Sequence, residues 1–557
     1  MAKKYVSGRF EYRIDSIEAG KIVLLGNGQD GEKAQPVRET IVFTENSLEF
    51  LKETRTPWQF RNQTILRRTE ENVLSPKIFS SAKLKEDFDV FKKTLKTIHP
   101  GIYRYQTPKT LEKLFDELEA NLKNPLSEAE FFKLVAQFTS QIHCGHTYPN
   151  PYNQNPLVRE RIFNGKSYLP FYFQIVAGKM IITENASLQS LSRGSEIVKV
   201  NGVAAKKIIE TLLTITSADG KNTLAHRIDQ LELKRFEAER YALFDWYFPL
   251  FFAVKNGSFV IEAVDAPTGK TIKFETPAMT KDERTAEMKK RYSAPPTYDD
   301  GWKFEIRNGK TAYLTIGNSI TWRLKTIKFK EFLANAFAEM REKKVEFLII
   351  DLRGNGGGDT DIGFELARYL ARNDLPVYLA SRRLVRNVAA QPDLLKYLDT
   401  YSMELKTNLQ NGLPPDSFKK AENNYFEILP TEKLENYPAV TPDKNNFQGT
   451  AFLISDASNA SATAQFLNYA KENKLAKIVG QQTGGNRQGI NGGNYYFLRL
   501  PNSKIEIDVP VFYFAPFKTR PDESVIPDVV VKSKSDDISK GIDAEISAIE
   551  NLIDGKK

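Results

Sequence analysis

Two passages of this chain repeat one arrangement, a run of buried-strand residues, a turn of small residues and then a helical pattern, and this repetition constrains the fold more than any other feature. The first is VEFLIIDLRGNGGGDTDIGFELARYL, with glycines gathered between Gly354 and Gly358. The second is GTAFLISDASNASATAQFLNYAKENKLAKIVG, whose turn runs from Asp456 to Ala462. Together with KTAYLTI upstream, these short apolar runs separated by helical patterns make the C-terminal half α/β. Open α/β sheets bind ligands beyond the carboxyl ends of their strands, so both turns are candidate sites.

At 557 residues the chain is too long for a single hydrophobic core, and several domains are expected. RFEYRI and KIVLLGN, followed by the turn signals of GNGQDGE, read as a small β unit over 1–75. FDVFKKTLKTI, LEKLFDELEANL and EAEFFKLVAQFTSQI place apolar residues at three- and four-residue intervals, which predicts a helical segment over 80–155 ending at HCGHTYPNP. FYFQIVAGKMIITE, SEIVKVNG and GSFVIEAV are strand-like, with a helix around KKIIETLLTI, and give a small mixed domain over 165–280. The charged, proline-containing stretch from Pro277 to Asp300 reads as a linker before an α/β core over 300–535 and a C-terminal helix over 536–557. The fold class is therefore multidomain α/β (α+β).

Composition narrows the function. The net charge of +9 is small for this length and is interleaved with acids, which argues against nucleic acid as a partner. No apolar run is long enough for a membrane span, and the start, MAKKYVSGRFEYRID, has no signal-peptide core, so the chain reads either as cytoplasmic or as a mature form without its leader. The single cysteine, Cys144, excludes an intramolecular disulfide.

The chemistry is sought at the two turns. Glycines let backbone N–H groups point into a site, but the Lys-Ser/Thr pair of a phosphate-binding P-loop is missing and the spacing is not that of a dinucleotide fingerprint. A serine opening a helix has N–H groups and the helix dipole to favour developing negative charge, which suits a hydroxyl nucleophile with its oxyanion site. The bland alternatives are a tight strand-to-helix turn for the glycines and an N-cap for Ser458 or Ser461. A serine needs a base, and the chain has four histidines, His99, His143, His146 and His226. His146 follows an amphipathic helix and precedes a proline-rich turn, where it could reach another domain or simply be solvated. His143, Cys144 and His146 could supply metal ligands, but lack a zinc-motif spacing.

At these residues the sequence resembles the S41 serine peptidases. LIIDLRGNGGG is similar to their strand and glycine turn, NASATAQF to their nucleophile motif, and IVGQQTGG follows at the family's distance. HPGIYRY and HCGHT resemble segments of the tricorn-like branch, and SRGSEIVKVNG resembles part of the PDZ-like domain many members carry; the resemblance runs from about Leu84 to Val531. It implies Ser461 as nucleophile, with Ser458 as its competitor, and backbone N–H groups of Gly357 or Gly356 and of Ala462 at the oxyanion. The C-terminal-processing branch uses a lysine where this chain has Asn486 and Arg487, and arginine cannot act as a base. The resemblance therefore implies His146 as base. A serine beside that histidine in the family is Gly145 here, and RPDESVIPDVVV implies Glu523, or else Asp522, as the acid orienting the ring.

The implied activity is hydrolysis of peptide bonds in peptides or in unfolded or tailed proteins, through an acyl-enzyme at Ser461 and with no metal or organic cofactor. The alternatives are a binding protein for a peptide or apolar ligand that keeps the fold without catalysis, and an esterase using the same serine. The resemblance also implies an extracytoplasmic location, because such relatives are often exported. Oligomeric state is not readable from the sequence.

Overall fold

The computed structural model describes residues 76–555, apart from 164, 222, 236–241, 401–402 and 431–437, together with the backbone of six strands between Tyr5 and Arg67. Those six strands form an antiparallel meander in which each pairs with its neighbour in sequence.

Helices Ser81–Thr97, Pro108–Ala120 and Glu128–Ser140 follow the predicted periodicity. Local chemistry sets their starts. Thr107 accepts from the Thr110 N–H with Pro108 at the first helical position, and Ser127 and Glu130 form a reciprocal capping box. Their apolar faces meet through Leu84, Phe88, Phe91, Phe115, Phe131 and Phe132, all at most 1% exposed. Burial of each such side chain contributes about 1.5–3 kcal/mol.

The next unit is an antiparallel sheet of strands Phe171–Val176, Lys179–Asn185, Glu196–Val200, Val203–Ala204, Ser258–Val264 and Thr271–Pro277, packed on helix Ala205–Leu212. Strand Ser258–Val264 alternates buried and half-buried residues, as a sheet with one covered face requires.

The α/β core carries a sheet in the order Trp302–Arg307, Thr311–Ile316, Phe347–Asp351, Thr450–Ser455, Lys477–Gly480 and Val529–Val530. The first pairing is antiparallel and the others parallel. Both faces are covered. Leu348, Ile350 and Leu453 pack with Phe337, Leu366, Phe466 and Leu467 from helices Phe329–Glu342, Asp361–Leu370 and Ser461–Glu472, while Ile349, Phe452 and Ile454 pack with Ile549 from helix Ala544–Ile553. Burial on both sides explains the continuous apolar runs at these strands. A second, antiparallel sheet built on strands Ile490–Arg499 and Glu506–Pro516 joins this core to the helical segment.

Two segments differ from the sequence reading. The stretch expected as a linker contains helix Lys281–Arg291, opened by a Thr280–Glu283 capping box. Its anchor is polar: Arg284 is fully buried, 2.7 Å from the Asp245 carboxylate, with its guanidinium beside the Tyr168 and Tyr172 rings. A helix held by a charged residue leaves no apolar stripe in the sequence. Residues 536–557, expected as one helix, hold Ser535–Lys540 and Ala544–Ile553, separated by the left-handed Gly541 at φ +66°.

Removing one partner of a buried ion pair strands the other charge. Asp245→Ala should lower stability by roughly 3 kcal/mol, whereas replacing Asp245 and Arg284 together with Leu and Met should restore most of the loss. Denaturant midpoints of the variants measure both effects.

Candidate active site

Strands Phe347–Asp351 and Thr450–Ser455 lie side by side and in parallel, so their two turns emerge at one sheet end. Polar side chains tie the turns together. Asp456 accepts from Gly354 N–H at 3.1 Å, and Asn459 Nδ2 donates to the carbonyls of Leu352 at 2.6 Å and Asn355 at 3.2 Å. Thr463 donates from Oγ1 to Asn355 Oδ1 at 2.8 Å. Asn355 and Asn459 are almost wholly buried, and their hydrogen bonds offset their desolvation.

This packing fixes Ser461 at the first residue of its helix in a left-handed conformation, φ +47°. A non-glycine residue there is strained by about 1–3 kcal/mol and is held only by its surroundings. The helix N-cap is Ala460, without a side-chain cap bond, and the Ser461 side chain is half-buried. Ser461 is therefore not a capping serine. Ser458 is buried and donates to Asp456, so its hydroxyl is engaged within the turn.

Gly357 lies directly against the serine. A Cβ there, at φ +100°, would come 2.8 Å from Ser461 Cβ and 3.0 Å from Ala462 N. The Gly357 N–H donates to Asn355 Oδ1 at 3.1 Å, while the N–H groups of Gly356 and Ala462 have no partner among the described residues. The three N–H groups expected at an oxyanion thus belong to two adjoining turns, and one is engaged within its own turn.

His146 comes from the loop after helix Glu128–Ser140, and buried polar bonds set that loop. His99, fully buried, accepts the Gly101 N–H at Nδ1 (3.1 Å), so Nε2 carries the proton and donates to Thr147 Oγ1 at 2.7 Å. Thr147 then donates to Cys144 Sγ at 3.3 Å. Burial, with Arg104 and Arg386 nearby, pushes the His99 pKa down to about 3, and burial pushes the Cys144 thiol up to about 11. HPG and CGHT, distant in sequence, form one hydrogen-bonded unit. Arg104 adds to it, stacking 4.0 Å from the Tyr513 ring centroid and donating to the Gln488 and Gly489 carbonyls.

The His146 side chain is 21% exposed, beside the Tyr495 ring. Its Nδ1 is buried without a hydrogen-bond partner, 3.8 Å from Asp219 Oδ2. Burial lowers its pKa, the Asp219 charge acts to raise it, and His226 lowers it further. His226 donates from Nδ1 to the carbonyl of Ala457 at 2.8 Å, within the turn that carries Ser461. His146 and Ser461 are not hydrogen-bonded to one another here; such contacts often form only when substrate binds.

Glu523 is paired elsewhere. Arg487 holds its carboxylate at 2.7 Å and also binds Asn468, seven residues along the helix from Ser461, about 10 Å by helical rise. Asp522 accepts from Asn486 Nδ2 at 2.6 Å and lies near the Lys221 N–H. The residues standing at the lysine position therefore bind the two candidate acids. The sequence reading did not single out Asp219 and named His226 only as one of four histidines; both lie in TSADGKNTLAHRID. Among the described residues, no group of three or more His, Cys, Asp or Glu side chains is set to hold a metal ion, and no helix is long and apolar enough to cross a membrane.

An α/β core with a strained serine between a glycine turn and a helix N-terminus has the form of a serine hydrolase. Residues 310–531 match the model of peptidase family S41. No curated protein matches the chain by sequence. Among solved structures, mature CPAF complexed with lactacystin aligns with TM-score 0.57 and 14% identity over 85% of this chain and 98% of its own. Mature CPAF alone gives 0.54 and 14% over 85% and 96%. At this identity the likeness concerns the fold.

Two predictions follow from the strained serine and the buried histidine. At positive φ, glycine is favoured over alanine by about 1 kcal/mol, so Ser461→Gly should unfold later than Ser461→Ala by that amount in denaturant titrations. The folded-state pKa of His99 is depressed, so its stabilising contribution is complete above about pH 6.5 and is lost as pH falls towards 3, by about 1.4 kcal/mol per pH unit. Glu506, pushed up to about 7 by burial, acts oppositely in the overlapping window, its contribution being lost as pH rises through 7. The signature is thus the difference between wild type and His99→Gln, which should shrink as pH falls from 6 to 4.

Proposed function

We propose that this protein is a serine peptidase of the tricorn-like kind, with Ser461 as nucleophile and His146 as general base. The observation that carries the reading is Ser461 itself, uncapped at the start of its helix, held at φ +47° and in contact with Gly357. His146 takes the hydroxyl proton as Ser461 Oγ attacks a peptide carbonyl. Ala462 N–H and the Gly356–Gly357 turn hold the oxyanion, the amine leaves with the proton from His146, and water then hydrolyses the acyl-enzyme. Substrates are peptides or unfolded or tailed polypeptides, recognised in part by the sheet unit between Phe171 and Pro277 through strand addition.

The lack of a Ser461–His146 hydrogen bond favours one other reading, a binding protein that keeps the fold without turnover. A fluorophosphonate probe separates the two. Labelling should map to Ser461, vanish in Ser461→Ala, persist in Ser458→Ala and slow at least ~1000-fold in His146→Ala. Folded protein that takes no label would sink the peptidase reading. A panel of peptide and ester substrates then separates peptidase from esterase.

A further inference from the structure

The loop carrying His146 is clamped to a second turn, Ala218–Gly220, by paired bonds. Gly145 N–H donates to Asp219 Oδ1 at 3.0 Å, and Gly220 N–H donates to the His143 carbonyl at 3.0 Å. With Oδ1 so held, Oδ2 is left 3.8 Å from His146 Nδ1, and the Asp219 side chain is only 6% exposed. Two buried groups of complementary chemistry face each other across a gap about 1 Å longer than a hydrogen bond. A buried Nδ1 without a partner is penalised until it finds one, which favours closing that gap.

Gly145 is what makes the approach possible. A Cβ at this residue would stand 3.3 Å from Asp219 Oδ2 and 3.4 Å from Asp219 N, so the carboxylate or the loop would have to give by a few tenths of an ångström. The two acids suggested by the sequence have other engagements: Glu523 with Arg487, and Asp522 with Asn486. Among the described residues, the charges that act on the His146 ring are those of Asp219 and His226, of which Asp219 is the acid, and the Tyr495 ring lies beside it.

We propose that Asp219 is the positioning residue of the catalytic base, holding His146 through Nδ1–H so that Nε2 meets Ser461. The assignment rests on the reading of Ser461 and His146 given above. In the reaction the Nδ1 proton stays on His146, bonded to Asp219 Oδ2. Nε2 accepts the Ser461 proton as the Oγ–carbon bond forms, then gives that proton to the amine as the carbon–nitrogen bond breaks. The Asp219 charge stabilises the imidazolium between these two steps.

The test pairs two readouts on full-length protein: titration of the His146 imidazole by nitrogen-15 NMR, and the rate of fluorophosphonate labelling at Ser461 as a function of pH. Asp219→Asn keeps an acceptor for Gly145 N–H but removes the charge. It should lower the His146 pKa, move the acid limb of the labelling profile to lower pH and slow labelling by at least ~100-fold. Glu523→Gln should leave all three near wild type. Gly145→Ala, which alters a neighbour without touching the charge, should give a milder form of the same loss. An Asp219→Asn protein that labels at the wild-type rate overturns the assignment, as does a His146 titration that responds to Glu523→Gln and not to Asp219→Asn. Wild-type protein that never labels at Ser461 would refute the peptidase reading instead, and the imidazole titration would then decide the Asp219–His146 pairing by itself.

Discussion

The site depends on one constraint: two parallel strands end together, and their turns are tied side to side by buried polar groups. Asp456, Asn459 and Asn355 each make at least one hydrogen bond to the opposite turn and at least one within their own. In a low-dielectric interior such bonds are stronger, and breaking one strands its partner, so the turns act as a single rigid body. That rigidity is what can keep Ser461 at a positive φ. The strain is local, while the restraint is spread over the sheet and the helices on both of its faces.

The histidine is delivered by different means. Its loop belongs to the helical segment, whose core is continuous with the antiparallel sheet of strands Ile490–Arg499 and Glu506–Pro516 rather than with the parallel one. Placement therefore relies on long-range polar contacts: His99 to Thr147, Arg104 to the carbonyls after Gln488, and Asp219 to Gly145.

Much of the core was legible in the sequence because burial on both faces of a parallel strand leaves continuous apolar runs, and FLIID and TAFLIS stand out as such. The helices around Phe88, Phe115 and Phe132 were legible from their periodicity. Helix Lys281–Arg291 was not, since its buried residues are only Arg284 and Met288, too few to leave an apolar stripe. Small-residue turns and rare histidines only narrowed the field, and the choice of Ser461 and His146 came from the family resemblance. Asp219 was not legible, because its position depends on a turn folding back onto Gly145, and nothing in TSADGKN announces that partner.

The same dependence bears on the stretch after Ser461, where the resemblance to the C-terminal-processing branch would call for a lysine. Asn486 and Arg487 stand at that place and draw Asp522 and Glu523 towards themselves. Arginine is permanently charged, so its bond to Glu523 is maintained at any pH where the carboxylate is ionised. An acid committed in this way is a poor partner for an imidazole that must gain and lose a proton in each cycle. A carboxylate with one oxygen tied to a backbone N–H and the other facing the ring suits that task better, and Gly145 leaves the room it needs.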